Sequence, residues 1–111
     1  MNLKIVWQGE SSKSSKEVIQ AGLQQVGKAE DLKGKVEVSV NIVKEKEIAK
    51  LNQQYMGKIG PTDVLSFPLE KEIGPDGVMR LGDIVLNIKF KNKFEFLAKH
   101  GMLHLLGKHH D

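Results

Sequence analysis

All four histidines of the chain fall within its last twelve residues, HGMLHLLGKHHD. His100 and His104 are four apart, a spacing that on a helix sets two imidazoles one turn apart on the same face, near enough to share one metal ion. Gly107 follows, and glycine tolerates the left-handed conformation that ends a helix and lets the chain turn back. The returning chain brings His110 towards the same point. The chain has no cysteine, so a metal site must use nitrogen and oxygen ligands. Three imidazoles around a tetrahedral ion such as zinc keep a fourth position for water or substrate, which separates a catalytic arrangement from a closed structural one. A pair at i and i+4 is common by chance, whereas HxxxHxxGxxH is not. His109 has three readings: a rival third ligand, a support that holds His110, or a solvent-facing side chain.

A related pattern, HExxHxxGxxH, marks a class of zinc endopeptidases in which the glutamate after the first histidine is the general base. Here that position is Gly101, which carries no proton. The metal cage is present without the proteolytic base, so peptide hydrolysis is the weaker reading.

The elements that must position these residues are legible in part. Leu3, Ile5 and Trp7 alternate with Lys4, Val6 and Gln8, which predicts a first strand and not a signal peptide. Serines 11 to 15 offer N-caps for a helix carrying Val18, Ile19, Leu23 and Val26, weakened at Gly22 and ended at Gly27. Val36, Val38, Val40 and Ile42 alternate with polar residues as a half-buried strand. Glu45 to Tyr55 has helical spacing and is stopped by Gly57 and Gly60-Pro61. Val64 to Phe67, closed by Pro68, is an expected edge strand, Pro75-Asp76-Gly77 a turn, and Asp83 to Ile88 a further strand. Phe94 to Leu106 reads as the helix that holds the histidines, with Phe94, Leu97, Met102, Leu105 and Leu106 available to the core. The order β-α-β-α-β-β-α predicts an α+β domain over residues 1–111 with one mixed sheet of about four strands, helices packed on it, and the histidine site at the end of the C-terminal helix. Phe67, Leu86 and Leu103 are expected core residues; Tyr55 has a ring able to stack on a base but is expected instead to pack or hydrogen bond at its helix end.

With 111 residues there is room for one modest core. No apolar run approaches the roughly 18 residues of a membrane span. The formal charge is +3 with a sequence pI near 9.1, compatible with an RNA partner and equally with an ordinary solvated surface. Arg80 is the only arginine; the lysine-rich stretches are diluted by acids or apolar residues, and none is a nucleic-acid patch alone.

Three blocks then resemble a known family. HGMLHLLGKHH is similar to the HGxLHLxGxDH signature of the YbeY family of single-strand endoribonucleases, LNQQYMGKIGPTDVLSFP resembles its second signature, and LGDIVL its third. The blocks occur in the family's order and cover most of residues 51 to 110. The resemblance implies an α+β fold and one Zn2+ per chain held by His100, His104 and His110. It further implies cleavage of single-stranded RNA, 16S rRNA 3′-end maturation, ribosome quality control at the small subunit, and a cytoplasmic location. Neither a membrane nor DNA is an expected partner. Lys58 and Arg80 are candidates to meet phosphate at the reacting centre, and Thr62, Asp63 and Ser66 candidates to line the cleft. The sequence departs from the pattern at Met56, where the family has an arginine able to clamp a phosphate or stabilise developing charge. It departs again at His109, where the family has aspartate, and in lacking much of the helical stretch between LGDIV and the histidine helix. Met56 favours an alternative reading: a non-catalytic RNA- or ribosome-binding protein that retains its metal cage.

Overall fold

The computed structural model describes residues 1–70 and 73–108. Its centre is the alternating stretch seen in the sequence. Strand β2 (Lys35–Val43) buries Val36, Val38, Val40 and Ile42 on one face and turns Glu37, Ser39 and Asn41 to the other, as a two-residue side-chain period requires. Strand β1 (Asn2–Gly9) pairs with it in parallel, Ile5 opposite Val38. Strand β4 (Val78–Asn87) pairs in parallel on its other side, with Val40 opposite Ile84. Strand β3 (Val64–Pro68) runs antiparallel to β4, Ser66 opposite Ile84 and Phe67 opposite Asp83. The order is β1-β2-β4-β3, so the proline-closed strand does sit at an edge. The fourth strand begins five residues earlier than the apolar run suggested, and a bulge at Glu37/Val38 absorbs the irregularity.

Helices α1 (Lys13–Ala29) and α3 (Phe94–Leu105) cover one sheet face; α2 (Glu45–Met56) covers part of the other. Ser12 caps α1, its hydroxyl accepting from the Ser15 N–H at 3.1 Å, which satisfies one of the donors a helix start leaves unpaired. The helix does not end at Gly27. That glycine is buried inside it with Met1 lying where a side chain would stand, so tertiary cover overrides its weak propensity. Gly22 lies where α1 meets Glu95 and Lys99 of α3. Between β4 and α3 the chain makes only one short 3-10 segment, Ile88–Lys93.

The larger core lies between the sheet and α1/α3, with Ile19, Leu23, Leu86, Phe94 and Met102 buried almost completely. A smaller one, Val43, Ile48, Leu65 and Val85, lies under α2 with Phe67 packed against it. Leu86 is therefore core as expected, while Leu103, Leu106 and Phe67 are half-buried at its margins. No helix among the described residues is long and apolar enough to cross a membrane.

Candidate functional site

Two buried asparagines fix the loop that feeds the edge strand. Asn87, with no exposed surface, donates its side-chain amide to the Thr62 carbonyl at 3.1 Å, accepts from the Lys89 N–H at 3.0 Å, and donates its backbone N–H to the Asp63 carbonyl. Asn52, 5% exposed, donates to the Gly60 carbonyl at 2.9 Å. A buried amide is costly unless its donors and acceptors are matched; here the match pins residues 60–63 between α2 and β4, so that β3 starts at a set place.

Over that strand lies α3. Its buried row, Phe94, Leu97, Ala98, Gly101, Met102 and Leu105, faces the core. Gly101 sits so close to the sheet that a Cβ would lie 3.0 Å from Cγ2 of Ile84. At 100° per residue, His100 and His104 fall on one flank of this row, and Glu95 and Lys99, which meet α1 at Gly22, fall on the other. The histidines thus turn towards β3 and away from α1. Their ring centroids are 4.2 Å apart, and both side chains are half-buried. The helix closes with Gly107 at φ +78°, the left-handed residue expected there, its N–H donating to the His104 carbonyl. His110, the third expected ligand, and His109 lie outside the described residues. The donor chemistry of this flank, two half-buried imidazoles one turn apart in a chain with no thiol, fits a borderline ion such as zinc.

One aromatic residue was missed by the sequence reading. Phe96, 67% exposed, stacks on His100 with centroids 6.2 Å apart and planes 16° from parallel. Phe96, His100 and His104 form a row of three rings at four-residue intervals, and that interval is the signal that could have found it.

The other candidates divide. Ser66 is brought to the histidine side, since it pairs with Ile84, the residue under Gly101. Thr62 and Asp63 stand at the far end of β3, about 10 Å or more from Ser66 at ~3.3 Å per residue, and the Thr62 hydroxyl is 3.4 Å from the Asp63 carboxylate. Lys58 is exposed on the loop after α2, the helix of the opposite face. Arg80 is also on that opposite face: its guanidinium bonds Asp76 at 2.6 Å and Glu37 at 3.1 Å. The Arg80 hydrogen bond, then the Val78 N–H, hold the Asp76 carboxyl at about 2, and the same pair raises the Arg80 pKa. The structure brings together His100, His104 and Phe96, sets Ser66 on the sheet face that α3 covers, and leaves Arg80 on the opposite face.

Tyr55 meets Phe67 edge-on on the α2 face, centroids 5.3 Å apart, beside a groove shared with Asp83.

Comparison with known proteins places these features in a lineage. The profile of the family described as Endoribonuclease YbeY matches residues 5–111. The chain is similar to the endoribonuclease YbeY of Bacillus pumilus, 38% identical over 122 aligned positions that take in 92% of this chain and 77% of that one. It is also similar to that of Bacillus subtilis, 39% identical over 79% of this chain and 68% of the relative. Because 122 positions exceed the 111 residues of this chain, the first relative carries residues with no counterpart here. The solution structure of TM1509 from Thermotoga maritima superposes with a TM-score of 0.56 at 36% identity, covering 97% of this chain and 75% of that one.

Proposed function

The chain belongs to the YbeY family of endoribonucleases, and from that footing we propose that it is a zinc-dependent, single-strand-specific endoribonuclease acting in the cytoplasm on the 3′ end of 16S rRNA and in quality control of the small ribosomal subunit. The observation that carries the reading is the ring row on α3, with His100 and His104 4.2 Å apart and Phe96 stacked beside them. His100 and His104 would hold the ion together with His110. When bound, zinc supplies Lewis-acid polarisation of a phosphoryl oxygen and makes water a usable nucleophile near neutral pH.

The chain's own residues do the rest. Phe96 offers an exposed π-face on which an unpaired base stacks, a contact that a base inside a duplex cannot make. Ser66, half-buried beneath the histidine flank, has a hydroxyl able to donate to a phosphate oxygen. Gly101, turned into Ile84, lets α3 lie close against the sheet, which fixes the flank on which the two histidines stand.

The test is cleavage of a labelled single-stranded RNA beside a duplex control, before chelation, after it, and after zinc is returned. Cutting of the single strand alone that stops with chelator and returns with zinc is expected. His104→Ala is expected to lose both zinc and cleavage while keeping the wild-type circular dichroism; full zinc occupancy in that variant would remove the site assignment. One observation favours a second reading, that of an RNA- or ribosome-binding protein without catalysis. Met56, 42% exposed at the end of α2, offers no cation to a phosphate. RNA binding with one zinc per chain and no cutting above the His104→Ala control would establish it.

A further inference from the structure

The groove on the α2 face takes no part in the histidine chemistry. Its volume is about 400 Å3, within the roughly 300–1,000 Å3 of small-ligand clefts. Leu51, Tyr55 and Phe67 line its apolar side, and Gln8, Asn41 and Asp83 its polar side. Tyr55 is 59% exposed even with Phe67 against it, which leaves ring surface for a flat ligand. Asp83 is exposed between Ser39 and Phe67 in the sheet register, and its carboxylate has no hydrogen bond or ion pair among the described residues. Gln8 and Asn41 are paired across β1 and β2, so their amides add both donors and acceptors.

A cationic side chain of a protein partner would suit a carboxylate beside aromatic rings, but the surrounding charge opposes it. The adjoining groove shares Leu51 and carries Lys46, Lys50 and Lys44, the last paired with Glu10 at 3.8 Å, beside one lining acid, Glu47. Lys46 and Lys50 are one helical turn apart and have no ion pair among the described residues. An aromatic pocket next to unpaired lysines matches a base with its phosphate backbone. The carboxylate decides which base. Ionised, it only accepts, and its two oxygens match a neighbouring pair of N–H donors. Guanine alone among the four bases presents such a pair, N1–H and N2–H2, on its Watson–Crick edge. Position agrees as well. Phe67 and Pro68 pair with Asp83 and Gly82, while Leu105, next to His104, reaches Gly82 from the other face. The groove and the histidine flank therefore border the same end of the edge strand, and a bound strand passes from one to the other around β3.

We infer that this groove reads guanine in single-stranded RNA, with Tyr55 and Phe67 stacking on the base, Asp83 accepting from N1–H and N2–H2, and Lys46 and Lys50 meeting the phosphates. The inference rests on the endoribonuclease reading for its substrate. The test uses the zinc-loaded protein and end-labelled 2′-O-methyl pentamers, UUXUU with X as G, A, C, U or inosine, read by fluorescence anisotropy, with strand integrity checked on a gel. The guanine strand is expected to bind about tenfold tighter than the A, C and U strands, and inosine, which lacks the N2 amine, falls between. Asp83→Asn is expected to bring guanine within about twofold of the others with an unchanged Tm. Tyr55→Ala is expected to weaken all five by about fivefold or more. Equal affinity for the five strands, or a guanine preference that survives Asp83→Asn, overturns the inference. Tighter binding of a labelled oligolysine than of any RNA assigns the groove to a protein partner and overturns it too. Cleavage that persists without base preference removes this inference alone. Guanine preference without cleavage removes the catalytic reading and leaves this one standing.

Discussion

Asn87 offers the sharpest test of how the edge strand is held. Replacing it with alanine leaves the Thr62 carbonyl and the Lys89 N–H without the partners at 3.1 and 3.0 Å. The half-buried Thr62 carbonyl bears most of the loss, and the Lys89 N–H, on an exposed residue, recovers water. Losing one buried partner costs about 1–3 kcal/mol and losing a cap about 1 kcal/mol, so Asn87→Ala should destabilise by about 2–3 kcal/mol. For a domain of this size that is a Tm lowered by roughly 10 °C. Asn87→Asp is more informative because it keeps the shape. One carboxylate oxygen still accepts from Lys89, but the other faces the Thr62 carbonyl, so an ion is now buried with that oxygen lacking a donor. Both effects raise the folded-state pKa of the new carboxyl above its ordinary ~3.9. The deficit relative to wild type is therefore full above the raised pKa, shrinks as pH falls through it, and is smallest below the ordinary value, where the protonated acid donates to Thr62. Urea titrations from pH 7 to pH 4, followed by Trp7 fluorescence and circular dichroism, give the difference at each pH with an unchanged m value. A deficit that grows on acidification, or an Asn87→Ala within about 0.5 kcal/mol of wild type, would refute the pinning of residues 60–63 by this side chain.

Three other perturbations address the site and its surroundings. Phe96→Ala should weaken single-stranded RNA binding by about fivefold or more with the urea midpoint unchanged, since the ring is 67% exposed; unaltered affinity by anisotropy would show that the ring meets no base. Met56→Arg should raise single-strand cleavage by about tenfold or more by supplying a planar cation, and an initial rate no higher than wild type would show that a cation at this position adds nothing to catalysis. Asp76→Asn acts on acid stability. Because Arg80 holds the Asp76 carboxyl at about 2, below the ordinary ~3.9, its contribution is present above the ordinary value and is lost as pH falls through the depressed one. The variant should therefore lose less than wild type between pH 4 and pH 2 in acid titrations, by a small amount because the pair is exposed, and parallel curves would contradict it.

What the sequence reveals depends on how far each residue's partners lie along the chain. The alternation of Val36 to Ile42 and the proline after Phe67 are local signals, and they give the central strand and the edge strand directly. Nothing in the sequence marks Asn52 and Asn87 as buried, since asparagine is usually exposed; their burial depends on carbonyls 8 and 25 residues away. Gly27 reads as a stop because its propensity is poor, and only the packing of Met1 onto it reveals a buried helical turn. Arg80 invites a phosphate-binding role while it is viewed alone. The parallel register of β2 and β4 sets it opposite Glu37, and the turn before it adds Asp76, so the guanidinium is engaged before any phosphate arrives. The spacing of His100 and His104 was legible because both lie on one helix; which flank of that helix they occupy was not, because the sheet beneath decides it.

Gly101 shows how that decision bears on chemistry. The pattern HxxxHxxGxxH differs from the zinc-protease helix at the single position after the first histidine, and sequence alone presents this as a missing base. The packing gives a physical reason for glycine. Once His100 and His104 turn towards β3, the next residue after each points at the sheet: Leu105 reaches Gly82, and Gly101 meets Ile84, where even a Cβ would stand 3.0 Å from Cγ2. A glutamate at 101 would thus enter the core beside Ile84 and Leu86, both without exposed surface, instead of meeting a water on the histidine flank. For that carboxylate to serve as a base, the helix would have to roll about its axis or stand further from the sheet, and either change would take the histidines away from Ser66 and the edge strand. The close seating of α3 is therefore compatible with two imidazoles facing the β3 side and incompatible with a carboxylate at 101 in register with them. Chemistry at this flank must take its proton transfers from the substrate, from solvent or from residues outside this helix turn.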